Sequence, residues 1–366
     1  MKKRNFLRRA SKILVRFFWQ ILTVVAVVGW IFLLISAFSD RISPLQNSNA
    51  PFFGLFFPVI LLFNVLFLCI WLLFRKWKQV ISTLIVFMIC GGAIRTYFPI
   101  HTKTKEVPAD CIKIITYNVM DFGGIRRHVE ATPHPILQYI VEQDPDVVCF
   151  QEYMQYSELT FEIIQKALKA MPYFSPRQGD LIVFSKYPIS SVKQIPTENW
   201  RNNVCSMELD INGKKVTLIN AHLVSNGIAL HERDDYYNFT SEPDRQKLEN
   251  FTHMMFKRLT PAFQKRASQA HMIADAIQEN PNPYIIVCGD FNDTPISYAR
   301  RTIKGNLKDA FVESGCGMGI SFNRHRFLFR IDYILYSKNM KAYNCTVGKL
   351  RTSDHYPVWT YLQFRD

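Results

Sequence analysis

The residues of this chain that could do chemistry lie in six short motifs. They are Thr116-Tyr117-Asn118, Gln151-Glu152, Asn220-Ala221-His222, Gly289-Asp290-Phe291-Asn292, Arg330-Ile331-Asp332-Tyr333 and Ser353-Asp354-His355. Each polar residue ends or directly follows an apolar, strand-like run, and strand ends are where side chains from distant sequence converge. The inventory of Asn, Asp and Glu offers hard oxygen ligands suited to Mg²⁺, Mn²⁺ or Ca²⁺. The two histidines titrate near neutrality and suit proton transfer. Together they suit phosphoester hydrolysis, in which water adds in line to phosphorus and charge builds on the surrounding oxygens, where a divalent cation stabilises it. No covalent nucleophile is signalled. Taken singly, each residue has a plainer explanation: Asn118 a turn, Glu152 the start of a helix, His222 a core histidine, Gly-Asp-Phe-Asn a turn former. All six arising in order, each after an apolar run, is what points to a site.

The elements that must position these residues alternate along the chain. Strands are predicted at 113–118, 146–151, 181–185, 204–211, 214–221, 284–288, 331–336 and 358–364, with helices at 135–143, 157–170 and 262–279. Asn212-Gly213 between two alternating runs is a strong hairpin signal. In 262–279, Ala267, Ala270, Ile273, Ala274 and Ile277 share one helical face. Hairpins mixed with helices predict an α+β arrangement of packed sheets covered by helices. Residues 224–261 interrupt the alternation with a charged, aromatic stretch, expected to form a partly ordered lid. Cys149 and Cys288 lie inside apolar strands and are expected as buried thiols, since no CxxC spacing suggests zinc or a disulfide framework.

In this order and spacing, the motifs make the chain resemble the endonuclease/exonuclease/phosphatase superfamily over residues 111–364. The resemblance implies a four-layer sandwich, two mixed sheets face to face with helices outside. It implies Glu152 as the main metal ligand, supported by Asn118, with Asp354 beside the same ion or a second one, and Mg²⁺ (or Mn²⁺) as cofactor. It implies His355 at the scissile phosphate, oriented by Asp332, and Asp290 with Asn292 positioning nucleophile and phosphate. Arg330, in the motif of Asp332, is expected to bind substrate. His222 is similar to deoxyribonuclease and sphingomyelinase types, whereas apurinic endonucleases carry Tyr there, so the abasic-site reading is disfavoured.

Composition separates two regions. Residues 1–98 hold 12 Lys and Arg against the single acid Asp40, a charge of +11, which leaves only +3 of the formal +14 for residues 99–366. The basic balance is therefore a membrane-topology signal more than a nucleic-acid footprint. Three apolar stretches, about 17–38, 52–74 and 80–98, approach the roughly 20 residues a spanning helix needs. They predict an all-helical transmembrane region within 1–98, a linker at 99–110 and a catalytic domain at 111–366. A cleaved signal peptide would have a shorter core and no later spans. Lys2, Lys3, Arg4, Arg8, Arg9, Lys12 and Arg16 precede the first stretch, so the N-terminus is expected in the cytoplasm and the catalytic domain outside it. If the third stretch does not span, the sides reverse.

The substrate stays open among a phospholipid headgroup, extracellular DNA or RNA, and none at all in an inactive binding module. A linker of this length reaches at most roughly 40 Å, which keeps the site near the bilayer. Lys257-Arg258 with Lys265-Arg266 is the candidate patch for a polyanion.

Overall fold

The computed structural model describes residues 2–123, 134–156, 159–196, 203–226, 245–324 and 327–365. The N-terminal region is helical: α1 (Lys2–Phe38), α2 (Ala50–Leu55), α3 (Phe57–Leu73), α4 (Trp77–Ile89) and α5 (Gly91–Tyr97). The expectation of three spans is corrected here. Among the described residues, one helix is long and apolar enough to cross a membrane, within Ser11–Arg41. The second stretch is divided at Phe56, because Pro58 has no N–H to donate back into the preceding turn and is tolerated only in the first turn of a new helix; the longer piece, α3, has 17 residues. The third bends by 68° between α4 and α5, at the glycine pair Gly91-Gly92, the weakest helix formers in the stretch. These helices pack on one another through Ala26, Phe67, Trp71 and Val80, and through Leu33, Phe57, Leu61 and Val86. Their other faces leave Phe17, Val24, Leu62, Leu66, Ile81 and Ile85 exposed.

The remaining chain forms two six-stranded sheets. Its strands are β1 (Ile112–Asn118), β2 (Val147–Gln151), β3 (Tyr173–Phe174), β4 (Ile182–Ser185), β5 (Ile189–Ile195), β6 (Val204–Ile211), β7 (Lys214–His222), β8 (Tyr284–Asp290), β9 (Lys308–Asp309), β10 (Phe322–Arg324), β11 (Phe327–Phe329), β12 (Asp332–Tyr336), β13 (Met340–Val347) and β14 (Val358–Phe364). One sheet runs β13-β14-β1-β2-β4-β3 and the other β5-β6-β7-β8-β12-β9, with β10 and β11 as a separate hairpin. Both are mixed, because β1 pairs with β2 and β7 with β8 in parallel while the other pairs are antiparallel.

Period-two alternation explains the layering. Ile112, Ile114, Val147 and Cys149 point inward against Met207, Leu218, Ile286, Cys288 and Ile334 of the facing sheet. Their neighbours Ile115, Tyr117, Val148 and Phe150 point outward and are covered by Ile136 and Ile140 of α6 (Pro135–Gln143) and Ile164 of α7 (Phe161–Ala167). On the opposite face, Ile219, Val287 and Leu335 are covered by Ala270 and Ile273 of α8 (Arg245–Gln278) and Ile303 of α9 (Tyr298–Lys304). Truncating one of these fully buried aliphatics to Ala costs about 2–5 kcal/mol. The result is the expected four-layer sandwich. Cys149 and Cys288 face each other between the sheets with their sulfurs 3.3 Å apart, both as free thiols.

Two expectations change. Of the proposed lid at 224–261, residues 227–244 lie outside the described residues, and residues from Arg245 onward belong to α8, longer than the predicted helix. The linker is pinned to the domain: the Gly317 amide donates to the Pro99 carbonyl at 2.9 Å, and the Thr104 amide to Asn344 Oδ1 at 2.8 Å. The domain therefore sits directly on the helix ends. Ile296 packs among Leu33, Phe57 and Tyr97, and Leu259 and Phe263 of α8 pack on Phe52. Gly54 permits this approach, since a Cβ there would lie 2.1 Å from the Ile296 carbonyl oxygen.

Gly289 carries a comparable constraint inside the second sheet. Its φ is +142°, and a Cβ would lie 1.8 Å from the Ala221 carbonyl oxygen of the paired strand. Gly289→Ala is expected to destabilise the protein by more than about 3 kcal/mol through strain and steric conflict. Denaturant unfolding of the purified protein measures this, and a change within about 0.5 kcal/mol, the range of an ordinary surface substitution, would refute it.

Candidate active site

Strand pairing brings the six motifs to one edge of the sandwich. Asn118 is in register with Gln151 across the parallel β1–β2 pair. His222 is in register with Asp290 across β7–β8, and Asp290 with Asp332 across the antiparallel β8–β12 pair. Beneath them the Gln151 amide donates to Asn220 Oδ1 at 2.7 Å, and the Asn220 amide to the Phe150 carbonyl at 3.1 Å, which ties the two sheets together. The last motif is held by Ser353, whose hydroxyl donates to the Asn118 carbonyl at 2.8 Å and accepts from the His355 amide at 3.1 Å.

Asp290 is the hub. Its Oδ2 accepts from Asn118 Nδ2 at 3.0 Å and Asn292 Nδ2 at 3.3 Å, and its Oδ1 accepts from the Asn292 amide at 2.8 Å. Two imidazoles flank it. His355 Nε2 lies 3.5 Å from Asp290 Oδ2, while its Nδ1 meets Asp332 Oδ2 at 2.9 Å. His222 Nε2 lies 3.8 Å from both Asp290 Oδ2 and Glu152 Oε1, while its Nδ1 is hydrogen-bonded to Asp180 Oδ2. Each histidine is thus backed by a carboxylate and presents its other nitrogen to the same space. His222 Nε2 and Asp332 Oδ1 are buried without a hydrogen-bond partner among the described residues, the polar atoms a bound substrate or water would satisfy.

The electrostatics follow from burial and these pairs. Burial alone would lower both histidines. The hydrogen bond and charge of Asp180, followed by Asp290 and Glu152, raise His222 to about 9. The charges of Asp332 and Asp290 raise His355 to about 10. Asp290 is itself raised, by burial and by Asp332, against the opposing pull of His355 and His222. The cluster therefore holds its protons more tightly than its members would in water, and near neutral pH both imidazoles are cationic.

Three residues were expected at a metal. Glu152 stands just past β2 in left-handed backbone, φ 49°, a conformation that favours glycine and is strained for a larger residue. Its side chain is 37% exposed and its Oε1 accepts from Asn118 Nδ2 at 2.9 Å. Asp121 is raised to about 6 by burial and then by the charges of Glu152 and Asp180, so negative charge is concentrated there. An oxygen-rich, open, electronegative position of this kind fits a divalent cation. Asp354 is differently placed: its Oδ2 is paired with Arg324 Nη1 at 3.0 Å, so its charge is already matched. The carboxylates of Asp290 and Asp332 also cluster with His355 within 4.8 Å, but His355 Nδ1 is engaged by Asp332 there, so a proton-holding group describes that cluster better than a ligand set.

Two basic residues go elsewhere. Arg330, expected at the substrate, is buried under the domain, with its guanidinium over the Phe311 ring and Nη2 donating to the Thr96 carbonyl of α5. It fastens the domain to the helices: Arg330 stands two residues before β12 begins at Asp332, outside the regular strand, and reaches the Thr96 carbonyl while Asp332 lies against His355. Arg266, part of the expected polyanion patch, is fully buried, donating to Asp293 Oδ2 at 3.2 Å and the Val224 carbonyl at 2.9 Å. Sequence reasoning missed Asp180 and Asp121. Asp180 had a signal, a Gly-Asp pair ahead of the apolar run 181–184, but it precedes its strand instead of ending it.

Residues 115–355 match the family described as Endonuclease/Exonuclease/phosphatase, and residues 16–97 match a domain of unknown function (DUF8431). No curated protein matches the sequence. Among solved structures, the human Nocturnin catalytic domain with bound sulfate is similar at 16% identity and TM-score 0.50, covering 71% of this chain and 95% of that one. A D. rerio TDP2 humanized by 14 mutations aligns at 16% identity and TM-score 0.49, covering 70% of this chain and 100% of that one. An endonuclease/exonuclease/phosphatase family protein from Leptotrichia buccalis aligns at 17% identity and TM-score 0.47, covering 69% and 100%.

Proposed function

Because the chain belongs to the endonuclease/exonuclease/phosphatase family of metal-dependent phosphoric ester hydrolases, we propose that it is a membrane-anchored phosphodiesterase acting on phospholipid headgroups. The observation that carries this reading is the convergence of two carboxylate-backed imidazoles on Asp290, beside the open Glu152–Asn118 pair. Glu152 and Asn118 would hold Mg²⁺ or Mn²⁺, with Asp354 available only if Arg324 gives way. The cation would supply charge stabilisation for the phosphoryl oxygens.

This chain's own residues do the rest. Asp290 and Asn292 hold the attacking water in line with phosphorus, and Asp290, less acidic than an ordinary carboxyl, accepts its proton. The water oxygen bonds to phosphorus as the bond to the leaving oxygen breaks. His355, cationic against Asp332, donates to a non-bridging oxygen and stabilises its growing charge. His222, cationic against Asp180, delivers a proton to the leaving oxygen.

Phospholipid is favoured by where the site sits. Asn292 contributes to the site, and Ile296, four residues on, packs among Leu33, Phe57 and Tyr97 at the ends of the apolar helices. The basic N-terminal part of α1, Lys2 to Arg16, keeps the N-terminus in the cytoplasm, so a single crossing by the apolar part of α1 leaves the domain outside. An alkaline-phosphatase fusion after residue 105 is therefore expected to be active, and the purified protein to hydrolyse vesicle phospholipid faster than plasmid DNA at equal phosphodiester concentration. A silent fusion would reverse the side of the membrane. Degraded DNA beside intact vesicles would make the enzyme a surface nuclease.

A further inference from the structure

A cavity lies where the N-terminal helices meet the domain, and the proposed mechanism does not use it. It is a cleft of about 820 Å³ between the end of α1, the α4–α5 bend and α9, within the range of small-ligand sites. Its two walls differ in kind. The membrane side presents Phe38, Ile89 and Ala93, continuous with the exposed apolar faces of α1 and α4. The domain side presents Arg300, Arg301 and Lys304 of α9, joined by Arg41 from the turn after α1.

The charges in this cleft do not balance. Arg300 is matched by Asp309, and Arg301 lies 3.5 Å from Asp40. Arg41 and Lys304 have no carboxylate within ion-pair distance among the described residues; the Lys304 ammonium donates only to the Gly305 carbonyl, at 3.4 Å. Burial, then the charge of Arg300, lowers the Lys304 pKa, with Asp309 opposing and Arg301 adding to the fall. A cationic wall facing an apolar one, at the depth where α1 leaves the membrane, fits a molecule with a phosphate at one end and hydrocarbon at the other. A free phosphate would have no use for the apolar wall.

Resting on the membrane reading above, we propose that this cleft is a non-catalytic site for an anionic phospholipid, its phosphate held by Arg41, Arg301 and Lys304 and its chains along Phe38, Ile89 and Ala93. The bound lipid would tie α9 to the helix ends and hold the domain in place on the bilayer.

The test uses the full chain in a neutral detergent, with EDTA present to hold off turnover. Phosphatidylglycerol, diacylglycerol and inorganic phosphate are each titrated while the melting temperature is followed, and retained lipid is identified by mass spectrometry. Phosphatidylglycerol is expected to raise Tm and to be retained, while diacylglycerol and inorganic phosphate do neither. The R301Q/K304Q double variant should bind phosphatidylglycerol roughly 10–30-fold more weakly, two basic contacts of about 1 kcal/mol each. Its hydrolysis of a soluble bis-phosphodiester, assayed with Mg²⁺, should be unchanged. If that variant does not fold, Arg41→Gln is the substitute, since Arg41 lies on an exposed turn. Equal phosphatidylglycerol binding by wild type and variant would overturn the site, as would an equal Tm shift with inorganic phosphate alone. Recovery of the protein after a carbonate wash separates the two failures. Protein released into the aqueous fraction removes the anchor and this site with it, whereas membrane-retained protein indifferent to phosphatidylglycerol removes only the site.

Discussion

Chelation with EDTA is expected to abolish hydrolysis of a bis-phosphodiester by the purified protein, and excess Mg²⁺ or Mn²⁺ to restore it. The expectation rests on Glu152, held in left-handed backbone with its carboxylate steadied by Asn118. Nearby Asp121 holds its proton to about 6, through burial and the charges of Glu152 and Asp180, so the position is rich in negative charge. Glu152→Gln is the sharper form of the experiment. The amide is nearly isosteric and can still accept from Asn118, so the fold should be kept while the charge that attracts a cation is lost. The metal concentration for half-maximal activity should rise at least about 100-fold, beyond the 10–100-fold typical of losing only an outer-shell partner of a ligand. Full wild-type activity in excess chelator would refute the metal-dependent mechanism. A Glu152→Gln protein with an unchanged metal requirement would move the ion elsewhere, with the cluster of Asp290, Asp332 and His355 as the next position to test.

His355→Ala is expected to lower kcat by about 10²–10⁴-fold, the usual range for a group that handles a proton or developing charge in the transition state. Its partner should matter nearly as much. Asp332 Oδ2 receives His355 Nδ1 at 2.9 Å, and its charge is the largest influence holding the imidazole protonated against burial. Asp332→Asn keeps the shape and loses that charge, so the cationic form and its tautomer are both lost. The double variant should be little worse than either single one, because residues that act as a unit are strongly non-additive. Melting temperatures must accompany the kinetics, since Asp332 and His355 are both buried. If the pair only completes a polar network behind β14, each variant would lose stability while its folded fraction kept near-normal kcat. That outcome would leave the Glu152 half of the site standing alone.

The separate fates of Asp332 and Arg330 mark the boundary between what was legible in the sequence and what was not. Sequence alone determined the local facts: where apolar runs alternate, where Asn212-Gly213 turns, and which polar residues stand at strand ends. Asn118, Glu152, His222, Asp290, Asn292, Asp332 and His355 are brought together because each lies at or within three residues of a strand terminus, and a terminus is written in the neighbouring few residues. The match of 115–355 to one family has the same origin.

What lies opposite a given residue is a long-range matter, and only the tertiary structure decided it. Asp180 reaches the site because β4 runs antiparallel to β2, so the start of one strand lies beside the end of the other; nothing near Asp180 in sequence encodes that pairing. Arg330 and Arg266 read as available cations, yet burial turns them inward to the Thr96 carbonyl and to Asp293. The linker read as a tether, but Asn344, far along the chain, fixes Thr104 with two hydrogen bonds. The three apolar stretches became one spanning-length helix and two broken ones, since hydropathy counts residues while Pro58 and Gly91-Gly92 set where a helix must stop. Composition and periodicity are sums over neighbours along the chain. A site, a docked domain and a cleft are made by contacts between residues that the chain itself keeps far apart.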